Sequence, residues 1–190
     1  MNPWEVAGVL FGIVSVALIV RENVWGWPTG LVNVLLFVVV FWQVRLYADM
    51  GLQVVYAVLC LYGWWAWLRG GRGSGRLEVG RAPRRLLVAL GLGGVTLAAV
   101  LGAALHRHTD AALPFWDAST SSFSLVAQAM QARKWLENWW VWIAVDTVYV
   151  GIYLAKHLYL TALLYAVFLG LAVQGAIRWR RSLLEAAKEA

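Results

Sequence analysis

Long apolar runs separated by short polar turns set the pattern of this chain. A helix needs about 20 mostly apolar residues to cross a bilayer. Runs of that kind predict helices over 4–20, 25–44, 50–68, 86–105, 138–155 and 158–177. A more polar stretch, 118–135, carries Ser124, Gln128 and Gln131 at helical spacing and predicts one more. Pro28 falls near the start of the second run, where a missing N–H does little harm. The segment 69–85, RGGRGSGRLEVGRAPRR, has the Gly and Arg content of a flexible, solvated connector. Residues 106–117 form a loop and 178–190 a tail. The pattern predicts an all-α polytopic membrane protein with seven transmembrane helices.

The sixth run departs from the others. It carries Asp146 in its interior, where an ionised carboxylate costs roughly 2.5–3.5 kcal/mol on insertion scales. Such a residue is by default a functional-site candidate. Asn138, Trp142, Asp146, Tyr149 and Tyr153 recur at the spacing of one helical face. That face has the chemistry of a polar path. The alternative is helix–helix contact glued by polar side chains.

The chain also repeats itself. At an offset of 112, Leu46, Tyr47, Gly63, Trp67 and Arg69 fall on Leu158, Tyr159, Gly175, Trp179 and Arg181. Upstream, an offset of 115 lays Asn23, Trp25 and Trp27 on Asn138, Trp140 and Trp142. These matches link the second helix to the sixth and the third to the seventh, so partners point the same way. The expected layout is a 3+1+3 parallel repeat: a first triplet in 1–68, the connector, a linker helix at 86–105, and a second triplet in 118–177. SWEET transporters are built from parallel repeats, with substrate near the midplane between them.

Composition and charge fit a bilayer. The chain of 190 residues is 62% hydrophobic and 14% charged, against about 25% charged in soluble domains. Its 13 Trp suit interfacial belts plus some interior use. The net charge of +6 does not point to nucleic acid, because the bases gather at helix ends. With seven spans, Arg21, the connector, Arg133, Lys134 and the tail share one side and hold thirteen of the sixteen bases. Arg45, Arg107 and Lys156 are left on the other. The positive-inside bias places the N-terminus outside and the C-terminus in the cytoplasm. A single Cys, Cys60, excludes an intrachain disulfide. The N-terminus lacks a basic region and a cleavage site, so the first run is expected to be a retained span.

Four stretches together, NVWGWPTGLVNVLLF, LYADMGLQVVY with YGWWAW, ARKWLENWWVWIAVDTVYVGIY and HLYLTALLYAVFLGLA, resemble the PnuC-type vitamin transporters, typified by nicotinamide riboside transporters. The resemblance covers nearly the whole chain. It implies a SWEET-like 3+1+3 bundle, a homotrimer in the cytoplasmic (inner) membrane, and facilitated diffusion of a nucleoside-like vitamin. It further implies trapping of the imported product by a cytoplasmic kinase. No cofactor or metal is expected. His157 departs from the small residue expected before LYLTALLY, at a helix end.

Nicotinamide riboside carries a permanent pyridinium charge, a carboxamide and a ribose. Trp142 and Trp140 are candidate stacking rings, with Trp27 and Trp64 as further candidates. Trp140 is equally suited to the interfacial belt. Asp146 would offset the pyridinium charge or bind ribose hydroxyls. Gln128, Asn138, Asn33 and Gln53 are candidate amide partners, and Tyr149 a hydroxyl donor. Thiamine, also a planar cation, and then riboflavin are the alternative substrates. An intramembrane enzyme is disfavoured: the serines at 119, 121, 122 and 124 have no His in a span to act as base. His106, His108 and Asp110 form a weak loop constellation. A non-transporting adaptor would tolerate Asp146→Leu. GRGSG is no phosphate-binding loop, so nothing points to ATP.

Overall fold

The computed structural model describes residues 3–43, 45, 47–71, 75–109 and 113–189. Leu46 of the repeat and Asp110 of the loop constellation lie outside the described residues. Among the described residues seven helices follow in order: α1 (Pro3–Val20), α2 (Gly26–Gln43), α3 (Tyr47–Arg69), α4 (Arg84–His108), α5 (Pro114–Ala132), α6 (Asn138–Ala155) and α7 (Tyr159–Glu189). Five contain stretches long and apolar enough to cross a membrane: Pro3–Val20, Gly26–Gln43, Asp49–Arg69, Arg84–His108 and Tyr159–Lys188. Ser, Thr and Gln dilute the hydropathy of α5, and Asn138 and Asp146 that of α6.

Six helices close a ring. α1 packs on α2 and α7, α2 on α3, α3 on α5, α5 on α6, and α6 on α7. α4 lies outside this ring against α5. Gly94 and Gly102 let it approach: a Cβ at Gly94 would sit 3.1 Å from the Phe123 ring, and one at Gly102 would overlap Phe115.

The core sits at the end of the bundle that carries the α1–α2 and α5–α6 turns. Four indoles meet there. Trp27 packs edge-on to Trp67 at 5.5 Å, Trp139 edge-on to Trp179 at 5.2 Å, and Trp67 touches Trp179 at 5.7 Å. All four are buried. Trp27 covers Gly63 and Trp139 covers Gly175, positions where any Cβ would collide with the ring. The Trp67 indole N–H donates to the Gln131 carbonyl at 3.1 Å, and that of Trp179 to the Ile19 carbonyl at 3.2 Å. Glu22 and Lys134 turn the chain with φ of 56° and 55°, Arg45 and His157 with 59° and 57°.

Every one of these correspondences has the offset 112. This corrects the upstream offset of 115: Trp27 shares its surroundings with Trp139, not Trp142. The two turns between helices are equally long, so no gap is needed. A run of three Trp among five residues offered the sequence several registers, and only packing on glycine selects one.

The connector also differs from expectation. Its second part is pinned. Leu77 N–H donates to the Trp67 carbonyl, Gly80 pairs with the strand-like turn at Trp135, and Ala82 N–H donates to Glu137 Oε2 at 3.0 Å. Lys134 ties this strap to the bundle. Its ammonium lies 2.9 Å from Glu22, donates to the Leu77 carbonyl at 2.9 Å, and sits 4.7 Å over the Trp67 ring. The Gly- and Arg-rich composition concealed backbone groups that the α5–α6 turn satisfies. Residues 178–189, expected to leave the last helix as a tail, continue α7, and Ser182 donates to Glu22 at 2.5 Å.

Candidate functional site

The six-helix ring encloses a cavity of about 470 Å³. It is lined from α1, α2, α3, α5, α6 and α7, and by no residue of α4. Its floor is the Trp27–Trp139 end, and its far end reaches Phe41, Asp49 and Tyr153.

The lining is symmetric in position and asymmetric in chemistry. From α1 and α2 come Val9, Gly12, Val16, Ile19, Gly30, Val34, Phe37 and Phe41. At the same offset of 112, α5 and α6 supply Ser121, Ser124, Gln128, Gln131, Trp142, Asp146, Tyr149 and Tyr153. Each of these apolar or bare positions on α1 and α2 corresponds, at that offset, to a hydrogen-bonding group on α5 and α6. Two polar groups of the first triplet, Ser15 and Asn33, hold helices together: Ser15 Oγ donates to the Gly26 carbonyl at 2.7 Å and Asn33 Nδ2 to the Gly8 carbonyl at 2.7 Å. Gln53, Tyr56 and Cys60 add polarity from α3.

Asp146 is the key group. It is 5% exposed and lines the cavity, yet makes no hydrogen bond or ion pair with any described residue. Among the described residues no Lys, Arg or His lines the cavity. A buried carboxylate kept without a cation is costly unless something supplies one. One turn away, the Trp142 indole N–H donates to Gln131 Oε1 at 2.9 Å, which fixes the ring. Above Asp146, Tyr149, Tyr153 and Tyr165 cluster with ring centres 4.4 to 5.9 Å apart. Gln128 reaches Cys60 Sγ at 4.0 Å, a weak contact that leaves its amide available.

The expected stripe is therefore partly assembled. Trp142, Asp146, Tyr149 and Tyr153 face the cavity, with Gln128, Gln53, Asn33 and Trp27. Three expected residues do not. Asn138 is fully buried below the floor, where its Nδ2 donates to the Trp135 carbonyl at 2.6 Å and caps the turn into α6. Trp140 is 62% exposed on the outer face of α6, a belt position. Trp64 packs beside the indole core behind the floor. Sequence reasoning passed over Tyr56 and Tyr165, and weighed Ser121 only as a nucleophile. Carrying the offset of 112 through every helix would have put Ser121 and Tyr165 opposite Val9 and Gln53, and so on the lining. His106 and His108 are exposed at the end of α4, and no metal-binding group exists among the described residues.

Residues 2–181 match the family described as nicotinamide mononucleotide transporter. The chain belongs to that family, the PnuC-type transporters. It is 28% identical to the nicotinamide riboside transporter PnuC of Escherichia coli K12, over 95% of this chain and 86% of that protein. It is also 28% identical to the riboflavin/roseoflavin transporter RibM of Streptomyces davaonensis, over 92% and 83%. The fold is that of the crystal structure of the vitamin B3 transporter PnuC, with a TM-score of 0.75 and 22% identity over 97% of this chain and 84% of that one. PnuC-type proteins are multi-pass membrane transporters, not enzymes, and this chain shares that class.

Proposed function

We propose that this protein carries nicotinamide riboside across the cytoplasmic membrane by facilitated diffusion. One observation carries the choice: Asp146, buried and unpaired, stands one helical turn from Trp142 in a cavity that no described basic residue lines. A planar cation meets both groups at once, charge on carboxylate and ring face on indole. Ribose hydroxyls then find the Ser, Gln and Tyr groups of α5 and α6. The substrate lies between two like-oriented triplets, α1–α3 and α5–α7, in a 3+1+3 SWEET-like bundle with α4 as linker. Closure of the ring and recurrence of its contacts at one offset support that arrangement.

The base distribution favours an outside N-terminus, which makes the indole end cytoplasmic. Rocking of the triplets would open it. The indole N–H groups of Trp27 and Trp139 are buried without acceptors, and opening that end to water would satisfy both. The resemblance adds a homotrimer and trapping of the product by a cytoplasmic kinase. Riboflavin is the second reading, favoured by the equal identity to RibM.

The test is a binding and uptake screen on purified, reconstituted protein with nicotinamide riboside, its 5′-phosphate, thiamine and riboflavin. Nicotinamide riboside should bind tightest and enter the vesicles. The phosphate ester should bind at least about 100-fold more weakly, because a buried dianion without a cationic partner loses several kcal/mol. Equal or tighter binding of the phosphate ester would refute the proposal.

A further inference from the structure

Gln131 holds a place that packing alone does not explain. Its backbone carbonyl accepts the Trp67 indole N–H, the mate of the bond from Trp179 to Ile19. Ile19 does that work with an aliphatic side chain. The Gln131 carboxamide is thus surplus to the indole core. Its oxygen is committed to Trp142 Nε1 at 2.9 Å. An indole N–H is a donor only, so the amide cannot be turned over without losing that bond. Its Nε2 is left with two N–H groups and no acceptor among the described residues, and the residue lines the cavity.

We infer that Gln131 is a specificity-determining residue: locked by Trp142, it presents an N–H donor beside the indole face and selects flat rings that bear a carbonyl oxygen on their rim. The inference rests on the substrate reading above and deepens it. The carboxamide of a nicotinamide ring supplies such an oxygen. At the mated positions the first triplet has Ile19 and Gly30, so the Gln–Trp pair occurs in the second triplet alone. Recognition of the ring thereby falls to α5 and α6.

The experiment compares two ligands on the purified full-length protein by calorimetry: nicotinamide riboside and the ribosylpyridinium that lacks the carboxamide. Charge, ribose and ring are the same, so their affinity ratio isolates the carbonyl. The wild type should prefer nicotinamide riboside by about 30-fold or more, since a site built to donate a hydrogen bond discriminates strongly against an analogue without the acceptor. Gln131→Met removes the donor and should bring the ratio below about 3-fold. Gln131→Glu keeps an acceptor for Trp142 and replaces the donor with an oxygen that the ligand carboxamide can meet only by turning its NH2 inward, and should lower the ratio below that of the wild type. Trp142→Phe keeps an aromatic face but frees the amide to turn, and should give an intermediate ratio. An added negative charge acts equally on both cations and cancels. A wild-type ratio that survives in both Gln131 variants overturns the inference, as does a wild type with no preference, while binding of both ligands leaves the substrate reading standing. Failure of the wild type to bind either ligand refutes that reading and the inference with it.

Discussion

Substituting alanine at Gly63 or Gly175 tests the indole core at two matched points. A Cβ at Gly63 would lie 2.5 Å from Trp27 Cζ2, and one at Gly175 would lie 2.5 Å from Trp139 Cζ2. Carbon atoms rest at about 3.5–4.0 Å, so each ring must retreat by about 1 Å. Neither ring is free to do so. Trp27 is braced edge-on by Trp67 and Trp139 by Trp179. Overpacking of this kind costs about 1–3 kcal/mol. For a chain of this length that is a fall of about 2–4 °C in melting temperature per kcal/mol. Each variant should therefore melt roughly 5 °C below the wild type by intrinsic fluorescence in detergent. Gly151→Ala and Gly170→Ala are the controls, since a Cβ at either meets nothing within 4 Å. They should be neutral or slightly stabilising, because alanine favours a helix over glycine. Gly63→Ala and Gly175→Ala melting with the controls would refute the packing argument.

Two further outcomes follow from named contacts. Lys134→Ala removes an ion pair, a hydrogen bond to the Leu77 carbonyl and a cation–ring contact together, whereas Glu22→Gln keeps an acceptor for Ser182. With Glu22 a quarter exposed, Lys134→Ala should cost about 1–3 kcal/mol in thermal unfolding, and Glu22→Gln less. Trp142→Ala should weaken nicotinamide riboside by about tenfold in calorimetry through loss of the stacking face, while Trp140→Ala on the outer surface should leave affinity unchanged.

Much of this fold is legible in the sequence because a bilayer demands runs of a fixed length. The seven segments emerge from hydropathy and from the polar spacing of α5, with ends displaced where α3, α4 and α7 run on into polar residues, and with α5 at Pro114–Ala132 instead of 118–135, so that it and α4 take up part of the expected 106–117 loop. The face of α6 that carries Trp142, Asp146, Tyr149 and Tyr153 is legible because an acid is too costly to keep in an apolar helix unless a polar space receives it. What escaped depends on which partner a residue meets. Asn138 has the right spacing but sits one turn too low, where a turn carbonyl takes its amide. Trp140 and Trp142 have the same chemistry and differ only in the side of the helix on which they stand. Tyr56 sits on α3 at helical spacing from Asp49, Gln53 and Cys60, so the polar face is present in the sequence, but only Gln53 is read from it. The order in the connector is invisible to composition because its restraint comes from backbone bonds to a distant turn.

The most direct test of the central claim is the affinity of Asp146→Asn for nicotinamide riboside, measured by calorimetry beside the wild type. The amide preserves shape and removes the charge, with an NH2 donor in place of one acceptor oxygen. The pyridinium nitrogen is glycosylated and has no N–H, so its attraction to the carboxylate is Coulombic, about 3–4 kcal/mol at about 4–6 Å and an effective dielectric of about 20 before desolvation is subtracted. Affinity should fall by at least about tenfold with the melting temperature unchanged or raised. Binding of nicotinamide riboside by a folded Asp146→Asn variant as tightly as by the wild type would contradict the account.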